Sequence, residues 1–544
     1  MSDTSLRSSG AFAPLAVPIF RWLWIAGVIS NIGSWMQTVG AQWFLVEHGS
    51  SPAVIALVST ASAAPVLLFG IPAGVLGEFM NRRRLLIGVQ AAQALIALAL
   101  VIVTASGLMT PTLLLALTFG LGTAAAIQLP AYQAIVPEIV PRPLIADAAS
   151  LSSIGVNVAR ALGPALAGVL IATLGIPFVF ALNALSFAVF LLVLLVWRGY
   201  RPERVDPEPF AAATRAGLRY VAHAGVVRRM YLQLLLFIVP ANALWALLPV
   251  LASGPLGLES NGYGLLLASL GLGSIAGAFV LPRARRRMGV SRLVMASSAL
   301  YGAGVIVVGV SSSLALTLPV LVVVGLAWIG VIASLNGAVQ SFLPVWVRTR
   351  GLSVYQLVLF GGTAVGAAAA GVVGGIWGVV PTMAAAGVVV ILVAALLLVR
   401  PLLSTADKDR STVELPLTDV PPLMPVGPDA DDATIPAPRE PDPEGLTLVL
   451  VRYEVREQDR SRFVELMQDV ESSRRRTGAR SWALYDDRER PGFLVEAFLV
   501  GSWREHLSQH HTRTTGYDAE IVGAARDLAV GDPVVEHLVS FPRT

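Results

Sequence analysis

Twelve apolar stretches of roughly twenty residues follow one another through the first 400 positions of this 544-residue chain. At about 1.5 Å per residue, each is long enough to cross the roughly 30 Å of hydrocarbon in a bilayer. They lie near 20–46, 53–77, 85–106, 111–136, 148–173, 176–197, 230–252, 261–282, 292–311, 314–343, 351–376 and 378–399. Lipid offers the backbone no hydrogen bonds, so such segments are expected to be helices. Only 14% of the residues are charged and 55% are apolar, whereas soluble domains carry about 25% charge. The absence of cysteine excludes disulfides and thiolate chemistry.

The charges that remain are placed unevenly. The even-to-odd connections hold Arg82, Arg83, Arg84 and Arg142, then Arg283, Arg285, Arg286 and Arg287, then Arg348 and Arg350. The long 198–229 connection adds Arg198, Arg201, Arg204, Arg215, Arg219, Arg228 and Arg229. The odd-to-even connections carry neither Lys nor Arg. Arginine marks the cytoplasmic side, so both termini are expected there and 198–229 bridges two six-helix bundles, 1–197 and 230–400. This distribution also explains the net charge of +4 without nucleic acid. No cleavable signal peptide is read at the N-terminus.

The two halves resemble each other. An offset of about 207 lays Gln133 on Gln340, Pro137 on Pro344, Val140 on Val347, Gly155 on Gly362 and Gly168 on Gly375. These matches fall at the fourth-to-fifth and tenth-to-eleventh segments, the equivalent places in a 6+6 parallel repeat.

Beyond the last span, 401–445 is rich in proline and acid and reads as a disordered linker. From 446 to 544 the periodicity runs strand, helix, strand, strand, helix, strand, a soluble α+β unit of ferredoxin-like order.

One segment, 155–168, puts Arg160 inside an apolar span. A guanidinium stays charged, and its insertion at a helix centre costs about 2.5–3.5 kcal/mol. Either Arg160 and Asn157, one turn earlier on the same face, line a polar cavity and meet substrate, or Arg160 bonds neighbouring carbonyls. Asn31, Gln37 and Gln42 of the first span are further candidates for substrate contact, and each could equally be interhelical glue. Proton coupling needs a carboxylate, and no Asp or Glu lies mid-span. Glu47 and Asp147, near span ends, are the nearest candidates. Trp245 and other tryptophans are expected in the interfacial belt. In the last unit His506 and His510 have metal-like i, i+4 spacing, but no third ligand is evident and no metal or cofactor is expected.

The chain resembles the major facilitator superfamily. The 74–86 stretch is similar to its second-to-third loop signature, with Gly74, Leu76, Arg82, Arg83 and Arg84 in place and Glu78 where aspartate is usual. The resemblance implies that Gly74, Glu78, Arg82, Arg83 and Arg84 form a conformational gate on the cytoplasmic side. Gly155, Gly163, Pro164 and Gly168 match that superfamily's antiporter signature, with Ala159 and Ala167 where glycine is usual. The whole chain looks like the transmembrane secretion effector branch, which includes the enterobactin exporter, and its last unit resembles the antibiotic-biosynthesis monooxygenase type of dimeric α+β barrel. What this implies is a proton-coupled inner-membrane antiporter, not an enzyme, exporting a small-molecule drug, siderophore or related metabolite. It also implies a possible homodimer through 446–544. The alternatives are an exporter fused to a metabolite-modifying enzyme and a membrane sensor that transports nothing.

Overall fold

Proline or a polar cap opens many of the helices, because the first turn leaves N–H groups unsatisfied and proline has none to waste. Pro18 begins α1 (Pro18–Glu47) and Pro52 begins α2 (Pro52–Phe79). The Asn81 side chain caps α3 (Arg82–Ala105), and Thr110 with Pro111 starts α4 (Pro111–Ile139). The computed structural model describes residues 12–197, 210–403, 409–413 and 443–540. It continues with α5 (Ile145–Leu174), α6 (Ile176–Val196), α7 (Phe210–His223), α8 (Gly225–Ser253), α9 (Ser260–Val310), α10 (Leu314–Phe342), α11 (Val345–Trp377) and α12 (Val379–Val399). Gly175 joins α5 to α6 at φ 81°, and Gly378 joins α11 to α12 at φ 87°. Both junctions need the left-handed region that glycine enters without a steric penalty.

Among the described residues, ten helices are long and apolar enough to cross a membrane. The sequence reading expects twelve spans, and the difference has two sources. The expected spans 261–282 and 292–311 both lie on the 51-residue α9, broken only at Gly289, whose φ is 75°. α1, whose amides and hydroxyls lower its apolarity, is not among the ten.

The chain separates into two units. The first comprises Met1–Pro207, Tyr231–Gly337 and Tyr355–Leu402. Its helices meet through small residues that let backbones touch. A Cβ added at Gly122 of α4 would lie 2.7 Å from the Ser62 carbonyl oxygen of α2, and one at Gly302 of α9 would lie 2.6 Å from that of Gly387 in α12. Leu23, Leu86, Ile135, Phe190 and Leu194 form one of its buried apolar clusters.

The second unit comprises Glu208–Met230, Ala338–Val354 and Leu403–Thr544. It holds β1 (Thr447–Glu454), α13 (Arg460–Thr477), β2 (Ala479–Asp486), β3 (Phe493–Val500), α14 (Trp503–Ser508), α15 (Gly516–Arg526) and β4 (Val534–Val539). The sheet order is β2-β3-β1-β4, every pair antiparallel, with Val451 opposite Glu496 on one side and Val535 on the other. Alternation buries Val449, Val451, Tyr453, Leu494, Phe498 and Val500 against Phe463, Met467 and Val470 of α13. Residues 409–413, inside the stretch expected to be a disordered linker, pair with 514–517 at the start of α15, Val413 N–H donating to Thr514 O at 3.0 Å. The α7 helix and the N-terminal part of α11, up to Val354, belong to this unit. Arg219 of α7 pairs with Glu505, which also accepts from Arg513 at 3.0 Å. The Arg513 guanidinium stands 5.1 Å from the Trp346 ring centroid.

Candidate substrate-binding site

Arg160 sits near the middle of α5, part-buried, with its guanidinium carbon 5.7 Å from the ring centroid of Trp35 on α1. Its Nε is buried and has no hydrogen-bond partner among the described residues. A charged donor pulled from water with unused hydrogen-bonding capacity is a costly feature that an anionic ligand would offset. Asn157 does not supply that partner; its amide nitrogen donates to Ser153 O at 3.0 Å on its own helix.

Aromatic rings continue outward from Trp35. Its ring centroid is 6.0 Å from that of Trp245 on α8, which is 5.6 Å from Trp328 on α10. Trp328 in turn packs 5.7 Å from Tyr301 of α9 and 5.8 Å from Phe237 of α8. The interfacial-belt expectation for Trp245 is therefore corrected: it lies between aromatic rings from two other helices, and its indole N–H is buried without a partner among the described residues. Tryptophans on separate helices produce no local pattern, so sequence reading missed this group.

The other candidates in α1 have structural partners. Asn31 donates to Gly27 O at 2.8 Å, and Gln37 accepts from Asn183 of α6. Gln42 links α1 to three other helices, α2, α8 and α9. Its carbonyl accepts from Tyr263 Oη of α9 at 2.6 Å, and its amide donates to Ser59 Oγ of α2 at 3.4 Å and Trp245 O at 3.5 Å.

The same end of the helices, which carries the short α1–α2, α5–α6 and α8–α9 connections, holds Gly168, and the small-residue motif runs back from it along α5 to Gly155. A Cβ at Gly155 would lie 2.7 Å from Val28 Cγ2, and one at Gly163 would lie 2.6 Å from Trp35 Cβ, so both glycines seat α5 on α1. Gly168 meets Gly264 of α9 backbone to backbone, an added Cβ lying 2.7 Å from its Cα, and Pro164 O lies 3.0 Å from a Cβ added at Gly264.

At the opposite end Arg82 bonds Glu138 of α4 and Arg83 donates to Leu194 O and Leu195 O of α6 at 3.0 and 3.2 Å. The Arg84 backbone N–H is taken by the Asn81 cap. Gly74 and Glu78 lie on α2, with side chains outside the described residues. Glu47 is exposed at the end of α1, beside His48, and Asp147 is half-buried in the first turn of α5.

Residues 9–544 match the family of transmembrane secretion effectors. The chain belongs to that family. This transmembrane secretion effector is 24% identical over 287 residues to the staphyloferrin A transporter of Staphylococcus aureus, a match covering 52% of the chain and 71% of that relative. It is 28% identical over 184 residues to an uncharacterized MFS-type transporter of Bacillus subtilis, covering 32% of the chain and 43% of that protein's length. Among solved structures, an inward-facing, occupied bacterial homolog of the human lysosomal transporter Spinster superposes with a TM-score of 0.57 at 16% identity, covering 71% of the effector and 97% of that chain. A mutant of the nucleoside transporter NupG superposes at 0.59 and 12% identity, covering 70% and 99%. The fold is that of major facilitator transporters, and the effector is a multi-pass membrane transporter in a family of transporters, not enzymes.

Proposed function

We propose that this chain is a proton-coupled exporter of the inner membrane that moves an anionic metabolite with an aromatic or apolar body, of the siderophore or drug class. The observation that carries the reading is Arg160, its Nε unsatisfied and its guanidinium against Trp35 at the head of the Trp245–Trp328 group. An arginine takes an oxyanion, and flat indoles take an apolar ring. The staphyloferrin A relative supports the siderophore class.

Twelve spans follow if α1 crosses the bilayer and α9 crosses twice about Gly289. The arginine-rich connections then face the cytoplasm with both termini. On that orientation the packed Gly168–Gly264 and Gln42–Tyr263 end is the outer one, so the chain stands closed to the outside, and transport proceeds by rocking one bundle against the other. Gly74, Glu78, Arg82, Arg83 and Arg84 form the inner gate, with Arg82 already held by Glu138. Asp147, half-buried on the helix that carries Arg160, is a better proton carrier than the exposed Glu47. The terminal unit is ferredoxin-like and dimerises, a reading supported by exposed Tyr485, Val534 and Leu538 on its two edge strands.

The deciding experiment is efflux of a panel of siderophores, dyes and antibiotics from energised cells at matched membrane levels. Hydrogen bonds to a charged group contribute about 1.5–3 kcal/mol, so Arg160→Ala lowers efflux by about 10- to 150-fold. Unchanged efflux by that variant removes the arginine from the pathway. Asp147→Asn abolishes uphill efflux while leaving substrate exchange intact, and full uphill efflux by it rejects Asp147 as the carrier.

A further inference from the structure

The C-terminal unit brings together three imidazoles that are scattered in the sequence. His506 lies on α14 and His510 just beyond it, where the helix widens to π geometry over Gln509–Arg513. Such single-turn widenings re-aim side chains and recur at functional sites. His537 comes from edge strand β4, placed opposite Val449 by its pairing with β1. The His506 ring centroid is 4.8 Å from that of His510 and 4.8 Å from that of His537. One candidate ligand nitrogen from each residue lies within 4.8 Å of the other two.

His506 is not the solvated helix-end residue that histidine usually is there: it is 1% exposed. Its Nδ1 faces Gln509 Oε1 at 3.2 Å; the Thr477 hydroxyl donates to Ser473 O at 2.9 Å and so accepts from the Gln509 amide nitrogen at 3.3 Å, which leaves the Gln509 carbonyl to accept from the imidazole. The proton therefore sits on Nδ1. That leaves Nε2 as a lone pair, buried and without a hydrogen-bond partner among the described residues. Trp503 walls the group, its ring 5.4 Å from His506 and 5.7 Å from His537.

We propose that His506, His510 and His537 form a three-nitrogen site for a divalent first-row transition metal ion of the zinc, nickel or copper kind. Imidazole suits these ions, whereas magnesium and calcium demand oxygen ligands. Metal–nitrogen bonds of about 2.0–2.1 Å place tetrahedral ligands about 3.3 Å apart, so the rings close by up to about 1.5 Å, a side-chain adjustment. Gln509 is the outer partner that orients His506, and the fourth coordination position stays open to water or a small ligand. Glu505, the residue before His506, bonds Arg219 of α7 and Arg513, so an ion on His506 also steadies the turn that carries this pairing.

The test uses the full chain in detergent, affinity tag removed and stripped with chelator, dialysed against zinc, nickel or magnesium chloride, with bound metal counted by mass spectrometry. Wild type retains one zinc or nickel ion per chain and no magnesium. His506→Gln and His537→Gln each lose the ion at least tenfold while keeping the wild-type circular dichroism spectrum. Cobalt added to the stripped wild type gives visible ligand-field bands, which reports coordination without any variant having to fold. Zinc retained equally by both variants, or no metal and no cobalt bands in wild type, overturns the site.

Discussion

Arg160 shows how far a single residue can be read before its surroundings are known. Its charge inside a span marked it as expensive, and the structure adds that its Nε has no partner among the described residues and that Trp35 lies against it. Trp35 tests the proposed pathway from the ring side. A cation–π contact of this kind contributes about 0.5–2 kcal/mol. Trp35→Ala is therefore expected to raise the apparent KM for efflux about two- to thirtyfold, and Trp35→Phe to restore much of the loss. The concentration dependence of efflux at matched membrane levels checks this, and equal KM values for wild type and Trp35→Ala would reject the contact. The amides of α1 carry the opposite lesson. Gln37 and Asn31 looked identical to cavity residues in the sequence, yet Gln37 accepts from Asn183 and Asn31 donates to its own helix. An amide declares its role only through its partner, and the partner of Gln37 sits on another span.

At the scale of elements, close backbone approach and buried polar groups decide the outcome. Gly168 and Gly264 leave no room for a side chain, so Gly168→Leu forces α5 and α9 apart. Overpacking of that kind typically costs about 1–3 kcal/mol. The expected result is an inserted protein with strongly reduced efflux, read by membrane immunoblot alongside transport. In the C-terminal sheet, Glu496 is 0% exposed and accepts from Arg474 Nε at 2.9 Å, Tyr453 Oη at 3.0 Å and Trp482 Nε1 at 3.0 Å. Removing one partner of a buried ion pair strands the other, at about 3–5 kcal/mol. Glu496→Ala should therefore speed proteolysis of the C-terminal unit in the full chain, and unchanged cleavage would contradict that. Most elements were legible because their signals are local: apolar length for the spans, alternation for β1 and β3. What sequence could not show was who meets whom. The indoles of Trp35, Trp245 and Trp328 come from three helices, and His537 reaches His506 only through strand pairing.

The whole molecule has to change shape if it transports by alternating access. In the first unit, the contacts between the halves include Gly168–Gly264, Gln42–Tyr263 and the bond from Thr60 Oγ1 of α2 to Ala364 O of α11 at 3.1 Å. Alternating access requires these to part, so a tether across them should stop the cycle at one state. The chain contains no cysteine, so a pair introduced for this purpose reacts alone. Thr60→Cys with Ala364→Cys, joined by a short bifunctional methanethiosulfonate, is expected to abolish efflux, and a reducing agent to restore it. Each single variant under the same reagent controls for local damage and should retain efflux. If the tethered protein still transports at the untethered rate, α2 and α11 do not separate during the cycle and the rocking mechanism is wrong for this chain. If transport stops and recovers on reduction, the observed contacts belong to one end state of a moving pair of bundles. Arg160 and the three indoles would then be the part of the first unit that both states must share.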